Sequence, residues 1–198
     1  MKTLSSLAII FGLMCFGTSS VEAISLDFVP SNQTVGMEGQ ATVDLVISGL
    51  GAFTAPSLGT FDLDVTFDPA ILSFNHAQYG DPVLGDQLNL GGTDSITATT
   101  LGAGTVNLFE LSLDPSDVLN TEQAGAFTVA SIAFQGLGVG ESPLGLNINA
   151  LGDAFGNPLT ASLGTGSISV APEPATLLLL GTGLAAFAIW RRKFLARR

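Results

Sequence analysis

The chain has 198 residues, 17 acidic and 6 basic side chains, a formal net charge of −11, and 24 glycines. All the cations lie at its ends, Lys2 at one and Arg191, Arg192, Lys193, Arg197 and Arg198 at the other. Setting aside Glu22 and Glu173 leaves 15 carboxylates and no lysine or arginine between residues 24 and 170. Nothing in that stretch could neutralise phosphates, which excludes nucleic acid as a partner, and anionic membranes and polymers are repelled unless divalent cations intervene.

At the N-terminus, Lys2 precedes an apolar stretch over residues 7–16, then small polar residues, then Val21-Glu22-Ala23. This charged, apolar, small-residue order predicts a secretory signal peptide over residues 1–23, cleaved after Ala23 to leave Ile24 first. Gly12, Gly17 and the run Thr18-Ser19-Ser20 break any long amphipathic helix. Cys15, the only cysteine, falls inside this segment behind Met14, where lipid attachment would need a small residue. The processed body therefore holds no disulfide and offers no thiolate for catalysis or metal binding.

The body, residues 24–170, has the size of one compact domain. Ala41, Val43, Leu45 and Ile47 alternate with polar residues, as do Phe61, Leu63, Val65 and Phe67, which predicts strands with one face packed and the other wet. Residues 94–101, 105–113 and 126–134 read as strands that are apolar on both faces in parts, and Leu144, Leu146 and Ile148 repeat the alternation. Turn signals at 48–51, 68–69, 80–82, 91–92, 102–104, 138–143 and 156–158 separate them. Breaks about every ten residues, with no long helical run, predict an all-β sandwich.

The order of these pieces resembles the cohesin domain. Leu26-Asp27-Phe28-Val29-Pro30 and then residues 35–45 look like its first strand, glycine turn and second strand. Residues 59–74, with Phe67-Asp68-Pro69 and Ile71-Leu72, are similar to its strand ending in an aromatic-Asp-Pro turn. Residues 144–170, including Leu151-Gly152-Asp153-Ala154-Phe155-Gly156, match its closing pattern. The resemblance implies a jelly-roll β-sandwich of about nine strands and a habit of binding proteins, and it implies no individual contact residue.

Chemistry is sparse. His76 is the only histidine, and no Gly-x-Ser-x-Gly elbow surrounds a serine. Lysine nucleophiles, nucleotide-binding loops and zinc-ligand clusters are absent from the body sequence. A carboxylate pair of glycosidase type could be sought in Asp62 and Asp64, but alternation puts such i, i+2 acids on an exposed face roughly 7 Å apart. The chain is accordingly read as a non-enzyme with no catalytic, cofactor-binding or metal residues. Calcium is possible at Asp68, Asp81, Asp86, Asp114 and Asp117 in turn-rich segments, although solvated acidic loops are the plainer reading. Carbohydrate recognition is the alternative function; sugar sites usually expose aromatic platforms, and the body has no tryptophan and only Tyr79.

The last stretch begins Ala171-Pro172-Glu173-Pro174, continues as an apolar run of 16 residues over 175–190, and ends in Arg191-Arg192-Lys193. As a helix the run spans roughly 24 Å, enough to just cross a bilayer, and the cations predict a cytoplasmic C-terminus with the body outside. The prolines keep the residues around Glu173 extended, which a processing enzyme can grip. Pro-Glu-Pro, the run Ala175-Thr176-Leu177-Leu178-Leu179-Leu180-Gly181 with Trp190, and the Arg-Arg-Lys cluster resemble the PEP-CTERM sorting signal, here residues 171–198. That resemblance implies handling by an exosortase, a membrane-embedded transpeptidase-like enzyme of Gram-negative, exopolysaccharide-producing bacteria. The expected protein is an exported, inner-membrane-anchored precursor destined for the cell surface or extracellular matrix, where it meets a protein or polysaccharide.

Overall fold

The computed structural model describes residues 23–172 together with residues 179, 182–185 and 187. Its elements are β1 (Ser25–Val29), β2 (Asn32–Gly36), β3 (Gln40–Ser48), β4 (Leu58–Thr66), β5 (Leu72–Tyr79), β6 (Ser95–Gly102), β7 (Thr105–Ser112), α1 (Ser116–Glu122), β8 (Phe127–Gly136), β9 (Gly140–Asp153), β10 (Ser162–Leu163) and β11 (Gly166–Ala171). Five strands in the order β10-β1-β3-β8-β5 form one sheet, and six in the order β2-β11-β9-β4-β7-β6 form the other. The all-β sandwich expected from alternation is the observed architecture, with eleven strands where about nine were expected.

Alternation settles which side chains fill the core. Ala41, Val43, Leu45 and Ile47 of β3 and Phe61, Leu63 and Val65 of β4 are all buried between the sheets. Leu144 and Leu146 of β9 join them, while Ile148 is only partly covered. β8, in the middle of its sheet, looked apolar on both faces because it contains a bulge. Ile47 pairs with Phe127 and Val46 with Thr128, but Leu45 pairs with Ala130, so Val129 is an extra residue that lets Phe127 and Ala130 face the same core.

The strand directions set two poles. Ser25 pairs with Ser48 at one end of β3, whereas the other end of β3 adjoins the tight turn in which the Gly39 N–H donates to the Gly36 carbonyl. Gly36 in turn pairs with Ala171, the last residue of β11. The two ends of the sandwich chain, Ala23 and Ala171, thus leave from opposite poles, separated by about 30 Å, the length of a nine-residue strand. The tail pole is built of short turns around residues 36–39, 67–71, 102–104 and 136–140. The loop pole carries the long connections 49–57, 80–94 and 153–161, and α1.

At the tail pole the Phe67-Asp68-Pro69 turn forms as its sequence implied. The Asp68 N–H donates to Ser142 Oγ at 2.9 Å, Asp68 Oδ1 accepts the Ala70 N–H at 2.8 Å, and Phe67 N–H reaches the Gly104 carbonyl. Helix α1 was not foreseen: it has seven residues, buries only Leu119, and lacks a side-chain cap. Its end is fixed by Gln123, fully buried, whose Oε1 accepts the Leu58 N–H at 2.6 Å and whose Nε2 donates to the carbonyls of Leu58 and Gln87 at 2.9 Å. An amide here serves as a one-residue strand partner for the start of β4. Replacing Gln123 with alanine strands the Leu58 N–H and C=O in the core and should lower unfolding free energy by about 3 kcal/mol in a denaturant titration.

Candidate functional site

The site with a readable function is the junction between β11 and the tail. Val170 is buried and pairs with Val35 and Gly140, Ala171 pairs with Gly36, and Pro172 is exposed immediately afterwards. The fold therefore presents the start of the Pro-Glu-Pro segment without any linker. Glu173 and Pro174, the basic residues Arg191, Arg192 and Lys193, and the signal segment up to residue 22 lie outside the described residues. Ala23, the expected cleavage position, is exposed at the opposite pole, with its carbonyl packed over Gly49, where a Cβ would lie 2.5 Å away. Among the described residues no helix is long and apolar enough to cross a membrane.

Of the acids singled out in the sequence, Asp62, Asp64, Asp68, Asp81, Asp86 and Asp114 are met by neutral donors and do not converge in a ligand set. Asp62 and Asp64 do share the outer face of β4, and Asn107 of β7 donates its Nδ2 to both, at 2.5 and 2.9 Å, with Asn149 adding a bond to Asp62 at 3.2 Å. Asn107 thus occupies the place between two carboxylates that a cation would otherwise take. Asp81 Oδ1 accepts the N–H groups of Val83 and Leu84, and its Oδ2 accepts that of Thr128. Asp114 accepts the Gly91 N–H at 2.8 Å and the Thr93 hydroxyl. Asp153 folds the loop after β9 by accepting the N–H groups of Phe155 and Asn157. Asp117 sits in the first turn of α1 and Asp68 in its own turn. Among the described residues no group of three or more potential ligands is arranged to hold a metal.

His76 is exposed on the edge strand β5, beside the bulge where the register slips between Phe74 and His76. Tyr79 is spent on closing the sandwich: its hydroxyl donates to the Ala98 carbonyl at 2.5 Å and bonds Thr99, and its ring stacks near Phe61. It is not free to act as a flat sugar platform. Burial, the largest influence, raises the Tyr79 pKa despite these bonds.

Glu110 was missed in the sequence. It follows Val106 and Leu108 at two-residue spacing on β7, which puts it on the inward face, and its side chain is fully buried. Ser95 donates to Oε1 at 2.7 Å, Asp86 lies alongside, and Oε2 has no hydrogen-bond partner. Burial first, then the Asp86 charge, push its carboxyl up to about 8 against the pull of Ser95. This sealed, protonated acid ties β7 to Ser95 of β6 and has no exposed surface.

Comparison with known proteins follows this division of the chain. Residues 170–193 match the family described as the PEP-CTERM protein-sorting motif. No curated protein matches. Among solved structures, a chain of a type I cohesin–dockerin complex from Clostridium thermocellum superposes with a TM-score of 0.58 at 13% identity, covering 76% of this chain and 100% of that one. A non-cellulosomal cohesin from the archaeon Archaeoglobus fulgidus gives 0.56 at 14% identity, over 78% and 96%. A type II cohesin domain from Acetivibrio cellulolyticus gives 0.57 at 17% identity, over 74% and 95%. At these identities the likeness is one of fold.

The buried acid and the loop aspartates give opposite pH slopes. In Asp81, Asp114 and Asp153 burial, the largest influence, pushes upward, but the accepted hydrogen bonds together hold each pKa below the usual 3.8. Their stabilisation is present above that value and lost as pH falls through the folded-state pKa. Glu110 keeps its proton up to about 8 when folded and loses it near 4.5 when unfolded, so it costs stability progressively as pH rises between those values. Melting temperature should peak at mildly acidic pH. Glu110→Gln should remove the decline toward pH 8, adding on the order of 1–3 kcal/mol there, and a variant whose pH profile is unchanged would contradict the assignment. Together these features make the chain a cohesin-like β-sandwich joined to a PEP-CTERM protein-sorting motif at residues 170–193.

Proposed function

We propose that this is a non-catalytic exported protein in three parts: a signal peptide over residues 1–23 cleaved after Ala23, a binding or structural sandwich over 24–170, and a sorting tail over 171–198. The tail anchors a precursor with the body outside the cytoplasm. An exosortase-type enzyme then recognises Pro172, Glu173 and Pro174, while Arg191, Arg192 and Lys193 hold the cytoplasmic side. The observation that supports this reading is the sorting-motif match beginning at Val170, where β11 is still hydrogen-bonded, with Pro172 exposed directly after the last strand.

The sandwich itself is read as a module for a protein partner at the cell surface or in the matrix. That reading is supported by the similarity of its fold to cohesins, one of them in a complex named for cohesin and dockerin. Its acids are engaged by backbone N–H, hydroxyl and amide donors, which suits a scaffold more than a reaction centre. Expressed in a bacterium that carries an exosortase, the Glu173→Ala, Pro174→Ala double variant should accumulate as a full-length, membrane-retained precursor on immunoblots of fractionated cells. Processing and release at the normal rate would reject the sorting role of these residues.

A further inference from the structure

Only Pro172, Glu173 and Pro174 separate the end of β11 from the apolar run that starts at Ala175. Three residues reach at most about 10 Å. If the tail enters a bilayer, as the proposed function holds, the tail pole must stand within that distance of the membrane surface. The side chains found there bear on what it meets.

Two turns flank the exit and are fused into one ridge. The Glu38 N–H donates to the Gly136 carbonyl and the Gly136 N–H to the Gly39 carbonyl, both at 2.9 Å. A Cβ on Gly136 would lie 3.0 Å from Val170 Cγ1, so the ridge rests directly on the last strand. From it project Met37, Leu137 and Val139, exposed by 42%, 51% and 53%. Three large apolar side chains on two short turns, beside a chain leaving for the hydrocarbon, are arranged as an interfacial foot. The same pole exposes Glu38, Asp68 and Glu141 and holds no cation. Those acids disfavour an anionic surface and favour a zwitterionic one.

We propose that Met37, Leu137 and Val139 insert into the interfacial layer of the bilayer that the tail enters. This contact sets the tail pole down on the membrane and holds the Pro-Glu-Pro segment at its surface. The exposed apolar residues of the loop pole, Phe53, Val83 and Phe155, are at the far end and stay in water.

The test uses the exported chain from Ile24 with its tail, which holds no cysteine of its own, so that a single introduced cysteine can be labelled. Bimane is placed at Met37→Cys, at Val139→Cys or, on the loop pole, at Val83→Cys, and the chain is reconstituted into phosphatidylcholine vesicles containing a shallow nitroxide-labelled lipid. Quenching at positions 37 and 139 should exceed that at 83 several-fold. It should fall when Leu137→Glu is added and when phosphatidylglycerol replaces a third of the lipid. Vesicle-bound chain with positions 37 and 139 no more quenched than 83 would overturn the contact while leaving the anchor standing, as would shielding of those positions only through self-association in lipid without quencher. Failure of the chain to float with vesicles would overturn the anchor and the contact together.

Discussion

The constraint on which the rest depends is the absence of lysine and arginine across residues 24–170. Fifteen carboxylates in one small domain would repel one another and leave buried oxygens unpaired, because no cation is at hand to form a salt bridge. The chain meets this with neutral donors. Asp81, Asp114 and Asp153 each gather backbone N–H groups and so become the pins of the loop pole, and Asn107 bridges Asp62 and Asp64. Where donors run out, at Glu110, the proton stays on. A hydrogen bond to a charged acceptor stabilises by about 1.5–3 kcal/mol, comparable to what a surface ion pair rarely reaches. The acidity of the body is thereby folded into the hydrogen bonding of its loops.

The second organising feature is the separation of the poles. β1 and β2 continue in one direction while passing from one sheet to the other, and β11 lies parallel to β2. This connectivity, fixed by backbone pairing, puts the first and last residues of the sandwich at opposite ends. It also gives the two ends different characters: short glycine turns carrying exposed apolar side chains where β11 ends, and long aspartate-pinned loops at the other pole. Under the proposed tethering by the last strand, the opposite pole and the sheet faces are the surfaces left for a partner. On the outer face of β4, β7 and β9, Asp62, Asp64, Asn107 and Asn149 are linked by hydrogen bonds into one polar surface.

Much of this was legible in the sequence, for physical reasons that differ by element. β3 and β4 announced themselves through strict period-two burial, and the Phe67-Asp68-Pro69 turn through side-chain chemistry that acts locally. β8 did not show alternation because its bulge at Val129 shifts the phase by one residue, a feature set by the partner strand. Helix α1 was hidden because seven residues with one buried leucine carry no periodic signal, and because its support, Gln123, acts across 65 residues on Leu58. Glu110 could have been found: it sits two residues beyond Leu108 and four beyond Val106 in a stretch already read as a strand. It was overlooked because residues 105–113 are apolar on both faces in parts, which hid which face is inward.

The loop aspartates show where composition misleads about function. Five acids in glycine-rich turns look like a calcium site because calcium loops use the same residues for the same geometric reason, a short side chain reaching back to the backbone. What separates the two is whether the oxygens converge on a shared point or diverge to local N–H groups. Asp81 spends both oxygens on three N–H groups of its own pole, and Asp114 spends both on Gly91 and Thr93. Carboxylates saturated in this way would have to give up hydrogen bonds to bind a cation, so the same interactions that hold the body together without lysine or arginine also set the cost of any metal entering those loops.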